Sequence, residues 1–294
     1  MKNKQQIQTK IFFEKDALNW SKKSKFKKKL IYNAIHERNL YVINLIKKFK
    51  FKYHLDVGSG VGDLCFETAK KTKSSIGIDF SSNMIKIAEN KFKRKNLRFF
   101  CKSFFDYVPE SKFDCISANG FIEYLSINEI IKFFKLSNSY LKKNGILTFS
   151  SRNRIFNLFS LNDFSKKELS SNLFKDFYKE AILFSEIKQL NEIDKIKKRG
   201  IEKIKFKQPS TGIKVSVRHQ FSPLQLIKTL KNLHFKLVDI HPINYHPVLP
   251  KEYEKDKEYK FFSNYIFKKT IHKNLDKLSF IPFASSFMIT VKKI

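Results

Sequence analysis

One nine-residue stretch, Leu55-Asp56-Val57-Gly58-Ser59-Gly60-Val61-Gly62-Asp63, limits what this chain can fold into more than any other. A short apolar run carries an acid, three glycines alternate with small residues, and a helical pattern starts at once. Glycines at a strand-to-helix turn accept backbone angles closed to other residues and let a ligand lie against bare main chain. The stretch reads as the nucleotide-type loop of a doubly wound α/β sheet. A dinucleotide fingerprint requires G-x-G-x-x-G, with its last glycine opening the helix. Here the third glycine arrives one position early, at Gly62, and Asp63 stands where that fingerprint needs glycine.

An acid at a helix start repels a pyrophosphate but tolerates a cationic sulfonium that carries an ammonium group. The stretch resembles motif I, D-x-G-x-G-x-G, of the class I S-adenosylmethionine-dependent methyltransferases. That resemblance implies a Rossmann-like, seven-stranded, mostly parallel sheet with helices on both faces, and S-adenosyl-L-methionine as cofactor. It assigns Asp56, Gly58, Gly60 and Gly62 to the cofactor loop.

The residues that follow repeat a strand–helix rhythm. Tyr53–Val57 reads as the first strand, and Leu64, Cys65, Thr68, Ala69 and Thr72 share one helical face behind the loop. Ser75–Asp79 is a second strand ending in an acid 21 residues after Gly58, the place of the carboxylate that accepts a ribose diol. Phe80 is positioned to lie against the adenine, and Ser81 or Ser82 caps the next helix. Asn96–Cys101 and Phe113–Ala118 are the third and fourth strands. By resemblance, Ser103 and Phe104 flank the adenine and Asn119 meets the methionine end of the cofactor. Many relatives carry Glu-His where this chain has Glu123-Tyr124. Ser126-x-x-Glu129 is a capping box whose helix runs to Asn144-Gly145, followed by a fifth strand, Gly145–Ser150.

The regular spacing then breaks. Residues 151–220 form an insertion at the corner where an acceptor pocket belongs, with an arginine pair (Arg152, Arg154), a Phe-rich helical stretch and an alternating run ending at Arg218. Ser222-Pro223 opens another helix, Phe235–Ile240 is a sixth strand, residues 250–276 read as a charged helical excursion, and Ser285–Val291 closes the sheet. Residues 1–50 read as an N-terminal helical segment before a methyltransferase domain at 51–294. Ile31, Ile35, Leu40, Ile43 and Ile46 form its apolar stripe, and Phe12, Phe13 and Trp20 belong to its packing or to a cover over the cofactor mouth.

Methyl transfer from a sulfonium is an in-line displacement that asks the protein mainly for alignment and exclusion of water. A hydroxyl acceptor benefits from a base, for which His219 is the first candidate, with His241 and His246 behind it. Arg152, Arg154 and Arg218 are candidates to grip a phosphate or carboxylate of the acceptor.

Composition narrows the function class. The formal net charge is +32, which invites a nucleic-acid reading. Yet only seven of the 59 basic residues are Arg, and the lysines spread over nearly every segment. Cys65, Cys101 and Cys115 are isolated, with no zinc spacing and no disulfide framework, so no metal is expected and the thiols fit a reducing, cytoplasmic setting. No apolar run is long enough for a membrane span. The leading reading is a methyltransferase acting on a small molecule, with a sugar, nucleotide-sugar or polysaccharide precursor first by family likeness. An RNA or other nucleic-acid methyltransferase ranks second, and a non-catalytic cofactor-binding partner protein third. Oligomeric state is left open.

Overall fold

The computed structural model describes residues 4–24, 33–161, 164–187, 189–195, 200–201, 215, 218–246 and 275–294. Seven strands form one sheet: β1 (Tyr53–Val57), β2 (Ser74–Asp79), β3 (Leu97–Cys101), β4 (Phe113–Ala118), β5 (Leu141–Arg152), β6 (Phe235–Tyr245) and β7 (Ala284–Lys293). Their spatial order is β3-β2-β1-β4-β5-β7-β6. The first five run parallel, and β7 is antiparallel to both β5 and β6. Strand order reverses between β1 and β4, so a crevice opens at their carboxyl ends, where ligands bind in open α/β sheets.

Alternation along the strands assigns the two faces. Ile116 of β4, with Phe287 and Ile289 of β7, enters a core shared with helices α5 (Ile127–Tyr140), α8 (Phe174–Glu186) and α9 (Pro223–Lys231). Cys115 and Met288, one residue away in each strand, face α2 (Ala34–Phe49) and Leu64 of α3 (Asp63–Ala69) instead. α4 (Ser82–Lys91) packs through Ile85 and Ala88 on Phe99 of β3. A parallel sheet covered on both faces explains why these strands are nearly uniformly buried.

Helix starts follow local chemistry. Ser81 caps α4 through the Met84 N–H, while Ser126 with Glu129 and Ser222 with Gln225 form capping boxes for α5 and α9. Pro223 occupies the first turn of α9, where no N–H is required. The expected end of α5 is corrected: the helix stops at Tyr140, and Leu141 already pairs with Phe113. Asn144, at φ 62°, and Gly145 form an irregularity inside β5 rather than a helix terminus, because Cys115 next pairs with Ile146.

The insertion contributes α6 (Phe156–Phe159), α7 (Ser165–Leu169) and α8, and it feeds Ala181, Phe184, Ile187 and Ile193 into the main core. Ile31, most of residues 196–217 and residues 250–274 of the expected helix lie outside the described residues; residues 275 and 276 begin a 3₁₀ turn, Leu275–Phe283. Among the described residues no helix is long and apolar enough to cross a membrane, and no cluster of potential metal ligands occurs.

Candidate active site

The loop after β1 bends through Gly58, Gly60 and Gly62 at φ 69°, 53° and 82°, in the region that disfavours other residues. The Gly58 and Ser59 amides donate to the Ile78 carbonyl at 2.9 and 3.0 Å, which ties the loop to the end of β2. There the Asp79 carboxylate accepts the Gly60 amide through Oδ2 and the Ser81 amide through Oδ1, both at 2.9 Å. Burial raises the Asp79 carboxyl to about 6, with these amides opposing the rise and Glu14 adding to it. The sequence thus brings loop and acid together as the 21-residue spacing predicts.

The three glycines divide by what faces their bare side. A Cβ on Gly62 would lie 2.6 Å from Phe99 Cζ and 3.0 Å from Ala88, so this glycine lets α3 close on β3 and α4. A Cβ on Gly58 or Gly60 would instead point to the cover, 3.1 Å from the Phe121 ring and 3.5 Å from Trp20 Nε1. Gly62 thus packs against β3 and α4, while the bare sides of Gly58 and Gly60 face Phe121 and Trp20.

Asp56 lies beneath the loop. Its Oδ1 accepts the Ser117 hydroxyl at 2.6 Å and its Oδ2 faces the Cys65 thiol at 3.7 Å. Ser117 also meets His54 Nε2 at 2.8 Å, while His54 Nδ1 meets Thr68 and Ser75. Burial holds the His54 pKa at about 3 and pushes Asp56 up to about 7. This internal network joins β1, β4 and α3 and fixes the loop's root. Asp56, expected among the cofactor residues, spends both carboxylate oxygens on Ser117 and Cys65.

Helix α1 (Lys4–Ser24) lies across the top. Glu14 accepts the Ser82 and Asn83 amides at 2.8 and 3.0 Å and the hydroxyls of Ser81 and Ser82, so α1 supplies the anion at the N-terminus of α4. Although burial opposes it, these bonds hold the Glu14 carboxyl below its usual range. Ala17 packs on Val61 and Met84, and Phe13 meets Trp20 and Tyr124 edge-on. Gln6 bonds to Glu129, the capping residue of α5. Trp20 is thus part of the cover over the glycine loop.

A second cluster occupies the carboxyl ends of β4 and β5. Glu123, fully buried in a short turn at Ile122–Tyr124, accepts the Arg218 guanidinium at 2.7 Å (Nε) and 2.5 Å (Nη2). Burial would raise the Glu123 carboxyl, but Arg218, Arg38 and Arg152 hold it below the usual range. Arg38 reaches in from α2, donates to Ser286 Oγ at 3.2 Å and crowds the bare side of Gly120, where a Cβ would be 3.3 Å from its Nη1. Arg152 sits opposite Ser286 in the β5–β7 ladder, and burial together with Arg218 lowers its guanidinium to about 10.

His219 belongs to this corner. Its amide donates to the Glu123 carbonyl at 2.7 Å, its ring is buried, and burial lowers its pKa. Asn119, at the end of β4, donates to Asn39 at 3.2 Å.

Several expectations change. Phe104 is a core residue, packed on Phe105, Phe133 and Tyr140 rather than offered to an adenine, because its 3₁₀ turn directs the ring beneath α5. Ser103 spends its hydroxyl capping that turn at Phe105 N. Phe80 is half-buried beside Asp79. Asp63 does not face the cradle: Lys91 pairs with it at 2.8 Å and Ser24 donates to it at 2.7 Å, which removes the repulsion attributed to it. Arg154 is held by Glu168 at 2.8 Å, over the Phe177 ring, as a structural pair. His241 packs against Tyr41 and His246 against Phe156 with tilted rings, and burial lowers His246 to about 4.

Sequence reasoning missed Glu14, Arg38 and Glu123 as site residues. Arg38 carried a signal: it is the single arginine among the first 50 residues of a chain that otherwise uses lysine.

Comparison with known proteins agrees with this geometry. A family described as a methyltransferase domain matches residues 55–145, from β1 into β5. The ubiquinone biosynthesis O-methyltransferase of Pelagibacter ubique is 31% identical over 152 residues, covering 46% of this chain and 60% of that protein. Phosphoethanolamine N-methyltransferase 1 of Arabidopsis thaliana is 28% identical over 112 residues, 37% of this chain and 23% of that one. This chain thus spans about 60% of the length of the first of these relatives. Among solved structures, magnesium protoporphyrin IX methyltransferase from Synechocystis PCC 6803, with bound SAH, superposes with a TM-score of 0.58 over 99% of this chain and 100% of that one. At 11% identity that likeness shows the fold alone. The N-methyltransferase NodS of Bradyrhizobium japonicum superposes with a TM-score of 0.54 at 10% identity, over 97% and 98% of the two chains. The domain match thus lies on the glycine loop and its acid, and residues 55–145 are similar to a methyltransferase domain.

Proposed function

We propose that this protein transfers a methyl group from S-adenosyl-L-methionine to a small-molecule acceptor, with a sugar, nucleotide-sugar or polysaccharide precursor as the first class to test. The observation that carries the reading is the cradle: two left-handed glycines, Gly58 and Gly60, whose bare sides face Phe121 and Trp20, beside a buried carboxylate 2.9 Å from the Gly60 amide. These residues fit an adenosyl group. Asp79 would accept the ribose hydroxyls, Gly58 and Gly60 would admit the chain of the cofactor against bare backbone, and Phe80 would flank the base. When bound, the cofactor supplies an electrophilic methyl on a sulfonium.

The chain's own residues do the rest. Glu14 and Trp20 hold α1 over the loop and exclude water, which matters for a reaction governed by alignment. His219, kept neutral by burial, is our candidate to take a proton from a hydroxyl acceptor. Asn119 and Arg38 flank Gly120 at the methionine end. In this reading residues 1–50 form a cover on a domain spanning 51–294.

The charge of +32 favours a nucleic-acid acceptor as the second reading. Against it, Arg38, Arg152, Arg154 and Arg218, four of the seven arginines, turn inward to Glu123 and Glu168. Release of S-adenosylhomocysteine over a panel of hydroxylated sugars, nucleotide sugars and bulk RNA, with Gly60→Arg as control, tests both. The proposal expects turnover with a small acceptor alone; turnover restricted to RNA would overturn it.

A further inference from the structure

We infer that the outer face of α1 is a docking surface for an anionic lipid bilayer. The helix spends one side on the domain: Thr9 and Ala17 are buried, and Phe13 packs edge-on against Tyr124. A surface helix that has already buried one face ordinarily turns polar residues outward. Here Ile7, Ile11 and Leu18 are 47%, 49% and 72% exposed. At 3.6 residues per turn, positions 7, 11 and 18 share one narrow stripe, and the exposed Lys15 and Lys22 lie along the same line. Isolated exposed apolar side chains are commonplace, but three in register on one helix face form a patch.

The charge around the stripe selects its occupant. α1 carries five lysines and two acids, and one of the acids, Glu14, is turned onto the start of α4. Six of residues 22–29 are lysine and a seventh is Phe26, the densest lysine run in the chain; beyond Ser24 it lies outside the described residues. Apolar side chains of such a face enter the boundary between headgroups and acyl chains, while lysines beside them reach anionic headgroups. A nucleic acid would use the lysines but offers nothing to Ile7, Ile11 and Leu18. Residues 4–29 also hold no arginine for base or phosphate forks. The helix lies on the bilayer rather than through it, as no helix among the described residues is long and apolar enough to cross. Docking leaves Glu14 and Trp20 on their partners, so α1 stands between the lipid and the glycine loop. The inference does not depend on the cofactor reading.

The test is sedimentation of the full chain with vesicles of phosphatidylcholine alone and of phosphatidylcholine mixed with phosphatidylglycerol. The expected result is binding to the mixed vesicles roughly tenfold or more tighter than to phosphatidylcholine, weakening with added salt. Ile7→Gln/Ile11→Gln/Leu18→Gln puts good helix formers on an exposed face. Its melting temperature should stay near that of the wild type while vesicle affinity falls about tenfold or more. Lys15→Gln/Lys22→Gln/Lys23→Gln should lose the preference for anionic vesicles. Wild-type protein that stays in the supernatant with both vesicles, or that binds both equally, would overturn the proposal. So would an apolar-face variant that binds vesicles as the wild type does. A wild-type dimer that the apolar-face variant breaks would give the stripe to a second copy. Bulk RNA held equally by wild type and variant, in preference to vesicles, would give the lysines to nucleic acid; either result overturns the proposal.

Discussion

The Gly60 amide donates to Asp79 Oδ2 at 2.9 Å, across 19 residues of sequence. That bond makes the acid at the end of β2 part of the loop after β1 and positions both halves of the cradle at the crevice where strand order reverses. Because the same carboxylate also accepts the Ser81 amide, one side chain sets the loop and the start of α4 together.

The glycines at 60 and 62 predict opposite phenotypes. Gly62→Ala meets Phe99 at 2.6 Å and carries left-handed strain, so it should destabilise the fold by about 2–4 kcal/mol. Gly60→Ala has ordinary contact distance to Trp20 and should lose only about 1 kcal/mol. Its cofactor affinity should nevertheless fall further than that of a Gly62→Ala protein measured below its melting point. Urea denaturation and S-adenosylhomocysteine titration of both variants check the contrast.

Trp20 is the only tryptophan in the chain, so its fluorescence reports the cover. Its indole stands beside the bare side of Gly60, and S-adenosylhomocysteine should change the emission with saturation. Glu14→Ala, which removes the anion at the start of α4, should shift free-protein emission to the red and weaken cofactor binding severalfold. Unchanged emission in both experiments would place α1 elsewhere in solution.

Arg154 and Glu168 are 5% and 0% exposed, and Arg154→Ala strands a carboxylate inside the protein. The expected loss is about 3–5 kcal/mol in chemical denaturation. Replacing both residues together with Met and Leu should recover most of it, as two apolar groups leave no buried charge.

The buried His54–Asp56 network predicts a pH signature. His54, at about 3 in the native state against 6.5 in the unfolded chain, leaves the unfolded chain binding the extra proton; its contribution rises with pH across 3–6.5. Asp56, raised from 3.8 to about 7, binds its proton in the native state, so its contribution falls as pH rises from about 4 to 7. The two oppose each other in the wild type. Asp56→Asn should therefore gain stability relative to wild type as pH rises from 4.5 to 6.5, by up to about 1.4 kcal/mol per pH unit. Urea midpoints at the two pH values read the sign directly.

Much of this was legible in the chain. The glycine spacing, the acid at Asp79 and the caps at Ser81, Ser126 and Ser222 are local patterns, and each reappears in the fold where local chemistry put it. What stayed hidden was set by distant partners. Nothing in the neighbourhood of Phe104 says that its ring turns under α5, since that depends on Phe133 and Tyr140. Asp63 looked like a charge aimed at the ligand until Lys91 and Ser24 claimed it. The meeting of Arg38 with Glu123, 85 residues apart, is a tertiary fact with no periodicity to announce it.

Calorimetric titration with S-adenosylhomocysteine, comparing wild type with Asp79→Ala at pH 7.5, tests the central claim most directly. The account predicts a single site per chain in the wild type and a loss of at least tenfold in the variant. It also predicts wild-type affinity falling as pH drops below about 6, where Asp79 takes up its proton. A folded wild-type protein that binds neither S-adenosylhomocysteine nor S-adenosylmethionine, or an Asp79→Ala variant that binds as tightly as the wild type, would contradict it.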